Sequence, residues 1–141
     1  MNALAPIGRV LFAAIFVISA PHNFQTEAIS YAATAGVPAA HILVPLAGVF
    51  ALLGGISLAL GVRARLGALA LIAFLVPVTL YMHKFWGITD PQQAQMQQVN
   101  FMKNLALIGG AAFFVYAGAG AYSIDARLQR SKLFRQSHVN A

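Results

Sequence analysis

Residues 40 to 82 read "AHILVPLAGVFALLGGISLALGVRARLGALALIAFLVPVTLYM". Two apolar runs, about Ala40 to Val62 and about Leu66 to Met82, are parted by a short stretch that carries Arg63 and Arg65. A helix of roughly 20 apolar residues crosses the ~30 Å hydrocarbon core of a bilayer, so each run is long enough to span one. So short a link joins only antiparallel neighbours. The stretch therefore predicts a helical hairpin in lipid with a basic tip.

Outward from the hairpin the pattern repeats. A further apolar run covers about Leu4 to Pro21 and another about Val99 to Ala121. The chain of 141 residues is 60% hydrophobic and 9% charged, with a mean hydropathy of +0.74. That is not the surface of a soluble domain. The expectation is an all-α fold, a four-transmembrane-helix bundle over residues 1–125 followed by a basic tail, 126–141. Span one resembles a secretory signal in having Arg9, an apolar stretch and small residues at Ser19 and Ala20. Pro21 directly after the candidate cleavage point argues that it stays as a permanent helix.

The net charge of +6 raises nucleic acid as a partner, and the distribution of that charge argues against it. Arg9, Arg63, Arg65, Arg127, Arg130, Lys132 and Arg135 fall on one side of the expected membrane, and only Lys84 and Lys103 on the other. Positive residues are retained on the cytoplasmic side, so both termini are expected to be cytoplasmic and the protein to lie in a bacterial inner membrane. The basic tail then sets topology and touches anionic lipid. With no cysteine in the chain, thiolate chemistry and cysteine-held metal or iron–sulfur clusters are excluded.

The two outer connections differ. "HNFQTEAISYAATAGVP", residues 22 to 38, places Phe24, Ala28, Tyr31 and Ala32 at helical spacing before Gly36 and Pro38, which predicts a short amphipathic helix on the outer surface. In "KFWGITDPQQAQMQQ", residues 84 to 98, Asp90 followed by Pro91 makes a helix start, and no breaker follows until Gly109. Span four thus begins outside the membrane. Along it Gln93, Gln97, Asn100, Lys103 and Asn104 recur at three- and four-residue spacing and predict a polar stripe descending into lipid.

A charged side chain inside the hydrocarbon boundary costs roughly 2.5–3.5 kcal/mol, so Lys103 is expected to face protein, water or ligand. His22, His41 and His83 lie near the outer ends of the other three spans. Thr79, His83 and Trp86 share one side of a helix, and Pro77 removes a backbone hydrogen bond below them. The candidate ligand-binding set is His83, Trp86, Asn100, Lys103, Asn104, Thr79 and His22. Hydrogen-bond donors beside aromatic rings partway into a bilayer suit a quinone or another amphipathic headgroup. Histidine or asparagine would bond a carbonyl, and Lys103 would stabilise negative charge on oxygen. Metal or haem is less favoured, because no H-x-x-E-H or H-E-x-x-H spacing occurs and no acidic group lies within the spans. The competing reading makes the histidines and Trp86 interfacial anchors and Lys103 a snorkelling side chain.

Glycines 48, 54, 55, 61, 109, 110 and 118 stud spans two and four and are expected to pack helices together. Arg9 and Asp125, at the inner ends of spans one and four, are expected to form a structural ion pair.

The segments "IGRVLFAAIFVISAPHNF", "VPLAGVFALLGGISLALGVRARLGAL", "VPVTLYMHKFW", "QVNFMKNLALIGGA" and "GAGAYSID" together resemble the DoxX family of small four-helix membrane proteins, over about Ile7 to Asp125. The resemblance implies a link to quinone-dependent oxidation and to partner enzymes of redox homeostasis. It sets His83, Trp86, Lys103 and Asn104 on the family's recurring polar positions and Arg9 and Asp125 on its cytoplasmic ones. Many relatives carry an acid in span two where this chain has Ala51, which weakens a catalytic reading. The expected function is a redox-associated accessory subunit with an outer polar cavity. A non-enzymatic scaffold, or a permease working as a homo-oligomer, are the alternatives.

Overall fold

A computed structural model describes residues 3–139, with side chains described through residue 132; the last two positions of the basic tail lie outside the described residues. The elements are α1 (Leu4–Ser19), a 3-10 turn (Ala20–Phe24), α2 (Thr26–Thr34), α3 (Ala40–Leu60), α4 (Ala64–Met82), α5 (Pro91–Ala117) and α6 (Ile124–Val139). No strand occurs among the described residues. Four segments, Leu4–Phe24, Ala40–Leu60, Ala64–Met82 and Pro91–Ala117, are long and apolar enough to cross a membrane. The fold is an all-α bundle of membrane-spanning helices.

The hairpin turn is built by a helix stop followed directly by a helix start. Gly61 ends α3 at φ +67°, where its N–H donates to the Leu58 carbonyl and the Val62 N–H to the Ser57 carbonyl. This pair of bonds is a Schellman motif, and the left-handed conformation it needs carries no steric cost at glycine. Arg63, also left-handed, opens α4.

α5 starts as its sequence predicts. Asp90 caps it by accepting from the N–H groups of Gln92 and Gln93, and Pro91 occupies the first turn. Its 27 residues make a rod of roughly 40 Å at 1.5 Å per residue, longer than the hydrocarbon core. It ends at Ala117, before the apolar run does, because Gly118 turns the backbone to φ +73°.

Small residues set the packing. A Cβ on Gly54 would lie 2.8 Å from the Gly67 carbonyl, so α3 and α4 touch backbone to backbone there. α1 lies equally close to α3, where a Cβ on Gly55 would meet Val17 and Phe16 at 2.9 and 3.2 Å. Phe16, Leu58, Leu71 and Leu75 fill what remains of the core. Large apolar side chains on the opposite faces, among them Leu11, Ile18, Leu53 and Phe113, are exposed and form the lipid-facing surface. In lipid, where hydrophobic burial gives no drive, close backbone approach of this kind holds helices together.

Neighbours pack in the order α1, α3, α4, α5. α1 and α5 meet through Phe12, whose ring lies 5.3 Å from that of Phe114 and against Gly110. Arg9 completes the seam.

The ion pair expected between Arg9 and Asp125 takes a different form. The buried Arg9 guanidinium donates to the carbonyls of Ala59 (3.3 Å), Tyr122 (3.0 Å) and Ala119. Asp125 accepts from the N–H groups of Arg63 (2.9 Å) and Ala64 (3.2 Å). No hydrogen bond joins the two side chains among the described residues. The physical reason lies in the backbone groups gathered here: the cation is drawn by a carbonyl in the last turn of α3 and two carbonyls of the loop between α5 and α6, and the anion by the amides that open α4. This end of the bundle, where α1 and α6 begin, is the clamped end. The other is called distal.

Candidate functional site

The distal halves of the long helices surround a cavity of about 920 Å³. Its walls are apolar, with Phe16, Phe50, Phe74 and Leu107 contributing to them, and α2 lies across its distal side through Glu27, Ala28, Tyr31 and Ala32. The volume falls in the usual range for a small-molecule pocket, about 300–1,000 Å³.

Four of the seven residues expected to bind ligand line this cavity: His22, His83, Lys103 and Asn104. Asn104 is the deepest of the polar groups. It is 5% exposed, and no hydrogen bond to its amide occurs among the described residues. Its polar atoms open onto the cavity, since no buried side-chain nitrogen or oxygen is sealed off without a partner. Lys103 is exposed at the edge and donates to Asn100 Oδ1 at 3.1 Å. A helix turns about 100° per residue, so these consecutive side chains must point apart: the one facing the core is the amide, and the ammonium stays on the flank.

His83 follows the last turn of α4 and places Nδ1 2.9 Å from Gln97 Oε1 on α5. Gln97 in turn directs Nε2 to the Tyr31 hydroxyl of α2 at 3.5 Å. These side chains link α4, α5 and α2 above the cavity. His22 is exposed and meets the Gln25 side chain at 2.8 Å. Pro77 and Ala73 both line the cavity. Because Pro77 has no N–H, the Ala73 carbonyl lacks its usual intrahelical donor.

Thr79, Trp86 and Asn100 do not line the cavity. The Thr79 hydroxyl is taken up by its own helix, donating to the Leu75 carbonyl at 2.6 Å, a common fate of mid-helix threonine. Trp86 follows the end of α4 and stacks edge-on against Phe85 (5.4 Å) and Phe101 (6.0 Å) instead. The helical phase that would have set it above His83 is broken, because α4 stops at Met82. Asn100 serves as the acceptor for Lys103.

Glu27, Tyr31 and Gln97 are among the polar lining residues outside the expected ligand set. Gln97 belonged to the predicted stripe. Glu27 and Tyr31 are four residues apart on α2, so they share a face, and only the fold of the outer connection over the bundle reveals which way that face points. Glu27 brings a carboxylate to a cavity whose spans carry none. Among the described residues no three His, Cys, Asp or Glu side chains gather as a metal site would require. The chemistry on offer is hydrogen bonding to a polar head set in apolar walls: an amide, an imidazole and an ammonium on one side, a carboxylate and a phenol on the other.

The DoxX family model matches residues 4–84, from the start of α1 to just past His83. Asn100, Lys103 and Asn104 lie beyond the matched segment. No curated protein and no solved structure matches the chain.

Proposed function

The chain belongs to the DoxX family, and from that premise we propose that it is a redox-associated accessory subunit of a membrane enzyme, binding a quinone-like amphiphile in the distal cavity. The observation that supports this is the Asn104 amide, almost fully buried, without a hydrogen-bond partner among the described residues, and lining an apolar cavity of about 920 Å³. An amide that faces such a cavity can donate to a ligand carbonyl. Lys103 stands one residue away, where its ammonium would favour negative charge on the same ligand. Hydrogen-bonding side chains do not carry electrons, so on this reading the electron-transferring group belongs to a partner enzyme.

The charge distribution supports the orientation. Arg9, Arg63 and Arg65 lie at the clamped end, where α6 also begins, and on the positive-inside rule that end faces the cytoplasm of a bacterial inner membrane. The cavity then opens on the outer side.

A scaffold built on exposed glycine faces finds less support. Gly48 meets Asn23 and Phe24, Gly54 meets Gly67, Gly55 meets Val17, and Gly110 meets Phe12, all within the bundle. Gly109 on α5 and Gly87 in the loop before it have open space around them.

Extraction of the protein in native nanodiscs, followed by mass spectrometry of the bound lipids, tests the function. A quinone enriched over the surrounding membrane, together with a rise in unfolding temperature when quinone is added, is the expected result. Bulk phospholipid alone and no thermal shift would overturn the reading.

A further inference from the structure

α4 runs as one helix from Ala64 to Met82 with a proline inside it. Ala73, Phe74, Pro77 and Val78 all line the cavity, and their spacing marks the face of α4 that is turned to it. In a helix each carbonyl accepts from the N–H one turn further on. Pro77 has no N–H to give and Ala73 lies one turn before it, so the missing bond falls in the middle of the cavity-facing side. Among the described residues no other group takes that place: the nearby Thr79 hydroxyl donates to the Leu75 carbonyl at 2.6 Å, and neither a side chain nor a backbone N–H from outside α4 donates to Ala73. Pro45 interrupts α3 in the same way, but it does not line the cavity.

The neighbouring helix α5 brings the Asn104 amide to the same cavity. The His83–Gln97 hydrogen bond of 2.9 Å sets α4 and α5 level with each other near the distal end. From that level Asn104 lies about 10 Å deeper along α5 and Ala73 about 15 Å deeper along α4, at 1.5 Å per residue. The two groups therefore differ in depth by about 5 Å, which a six-membered ring with an oxygen at each end spans. They differ in kind as well. The Asn104 amide both donates and accepts, whereas a backbone carbonyl only accepts.

We propose that the Ala73 carbonyl, freed by Pro77, is a second anchor for the ligand head and makes the cavity selective for the reduced, hydroxyl-bearing form of the quinone-like amphiphile. One hydroxyl of that hydroquinone accepts from the Asn104 amide, and the opposite hydroxyl donates to Ala73. The oxidised form has a carbonyl at each end. One of these meets Asn104 as before, but the other faces a second carbonyl, acceptor against acceptor, with no hydrogen between them. This rests on the ligand-binding reading of the cavity given above and adds to it the redox state of the ligand that the cavity holds. Pro77 thereby acts in specificity: the helix gives up one internal bond, and the oxygen so released reads the hydroxyl.

Binding is measured in nanodiscs under anaerobic conditions for a fully substituted benzoquinone with a decyl tail and for the same molecule reduced to its hydroquinone. The parent protein is expected to bind the hydroquinone about tenfold more tightly, as for one hydrogen bond made in place of an unpaired acceptor. Pro77→Ala supplies the missing N–H to the Ala73 carbonyl from within α4, and its unfolding temperature should equal or exceed the parent's. In that variant the hydroquinone should weaken by about tenfold while the quinone stays within about twofold, so that the preference disappears. The quinone separates the two effects of the substitution, because a change in the shape of α4 would weaken both probes alike. A parent that binds both forms equally overturns the carbonyl anchor and leaves the cavity reading standing, as does a Pro77→Ala variant that keeps the preference or loses both probes together. A parent that binds neither probe overturns both readings. The parent's preference needs no substitution, so a variant that failed to fold would leave the decision to it.

Discussion

Asp125 caps a helix that begins 61 residues earlier in the chain: its carboxylate accepts from the N–H of Ala64, and from Arg63 just before it, at 3.2 and 2.9 Å. α4 has no capping side chain of its own, so the segment after α5 supplies one. The Asp125 N–H returns a bond to the Gly61 carbonyl at 2.9 Å, which ties the start of α6 to both sides of the hairpin turn. Asp125→Ala is expected to lower stability by about 1–2 kcal/mol, the usual loss for an N-cap. Asp125→Asn keeps acceptor oxygen and should lose less. Thermal unfolding in detergent measures both, and equal unfolding temperatures for all three proteins would contradict the capping role.

Arg9 closes the same end by a different device. One planar cation reaches carbonyls of α3 and of the segment after α5, and it is buried while doing so. A lysine carries the charge without the fork geometry that lets a single group span separate acceptors. Arg9→Lys is therefore expected to destabilise by about 2 kcal/mol, as for one lost hydrogen bond to a charged group. The measurement is the unfolding temperature at constant detergent and pH. A lysine variant as stable as the parent would show that charge alone suffices.

Gly109 and Gly110 are sequence neighbours with opposite surroundings. A Cβ on Gly110 would sit 2.6 Å from Phe12 Cε2, whereas one on Gly109 meets nothing within 4 Å. Gly109→Ala is expected to stabilise α5 by about 0.5–1 kcal/mol through lost backbone freedom in the unfolded chain. Gly110→Ala is expected to destabilise, and Phe12→Leu in the same molecule should recover part of the loss. A double-mutant cycle on unfolding free energies reads this coupling, and strictly additive effects would place the two residues out of contact.

How far these features can be read in the sequence depends on their range. Helix lengths, the basic hairpin tip and the Asp90–Pro91 start of α5 follow from residues within a few positions of one another. The polar stripe did point Asn104 inward. The same argument could not separate Asn104 from Lys103, because three- and four-residue spacing covers an arc wide enough for both. Helical spacing sets Trp86 beside His83 only for a helix that continues past Met82, where α4 ends. Arg9 and Asp125 bond to backbone groups and not to each other: opposite charges are visible in a sequence, while the unpaired backbone groups that attract them exist only once the chain has folded. Glu27 and Tyr31 reach the cavity through the fold of α2 across it, which no local spacing encodes.

The division of the polar residues between cavity and surroundings leads to the last prediction. Among the described residues Asn104 makes no side-chain hydrogen bond, so Asn104→Leu is expected to leave the unfolding temperature unchanged or raised. It should nonetheless weaken the decyl benzoquinone probe by about tenfold, the worth of one good hydrogen bond. Lys103→Met removes only a bond to Asn100 at the cavity edge and should likewise preserve folding while weakening the probe. Trp86→Phe changes a residue that packs on Phe85 and Phe101 outside the cavity, so probe affinity should stay within about twofold. The three variants are compared by probe titration and thermal unfolding on the same preparations. Loss of folding in Lys103→Met would favour a structural role for the polar cluster, and loss of affinity in Trp86→Phe alone would move the site away from Asn104 to the aromatic group at the end of α4.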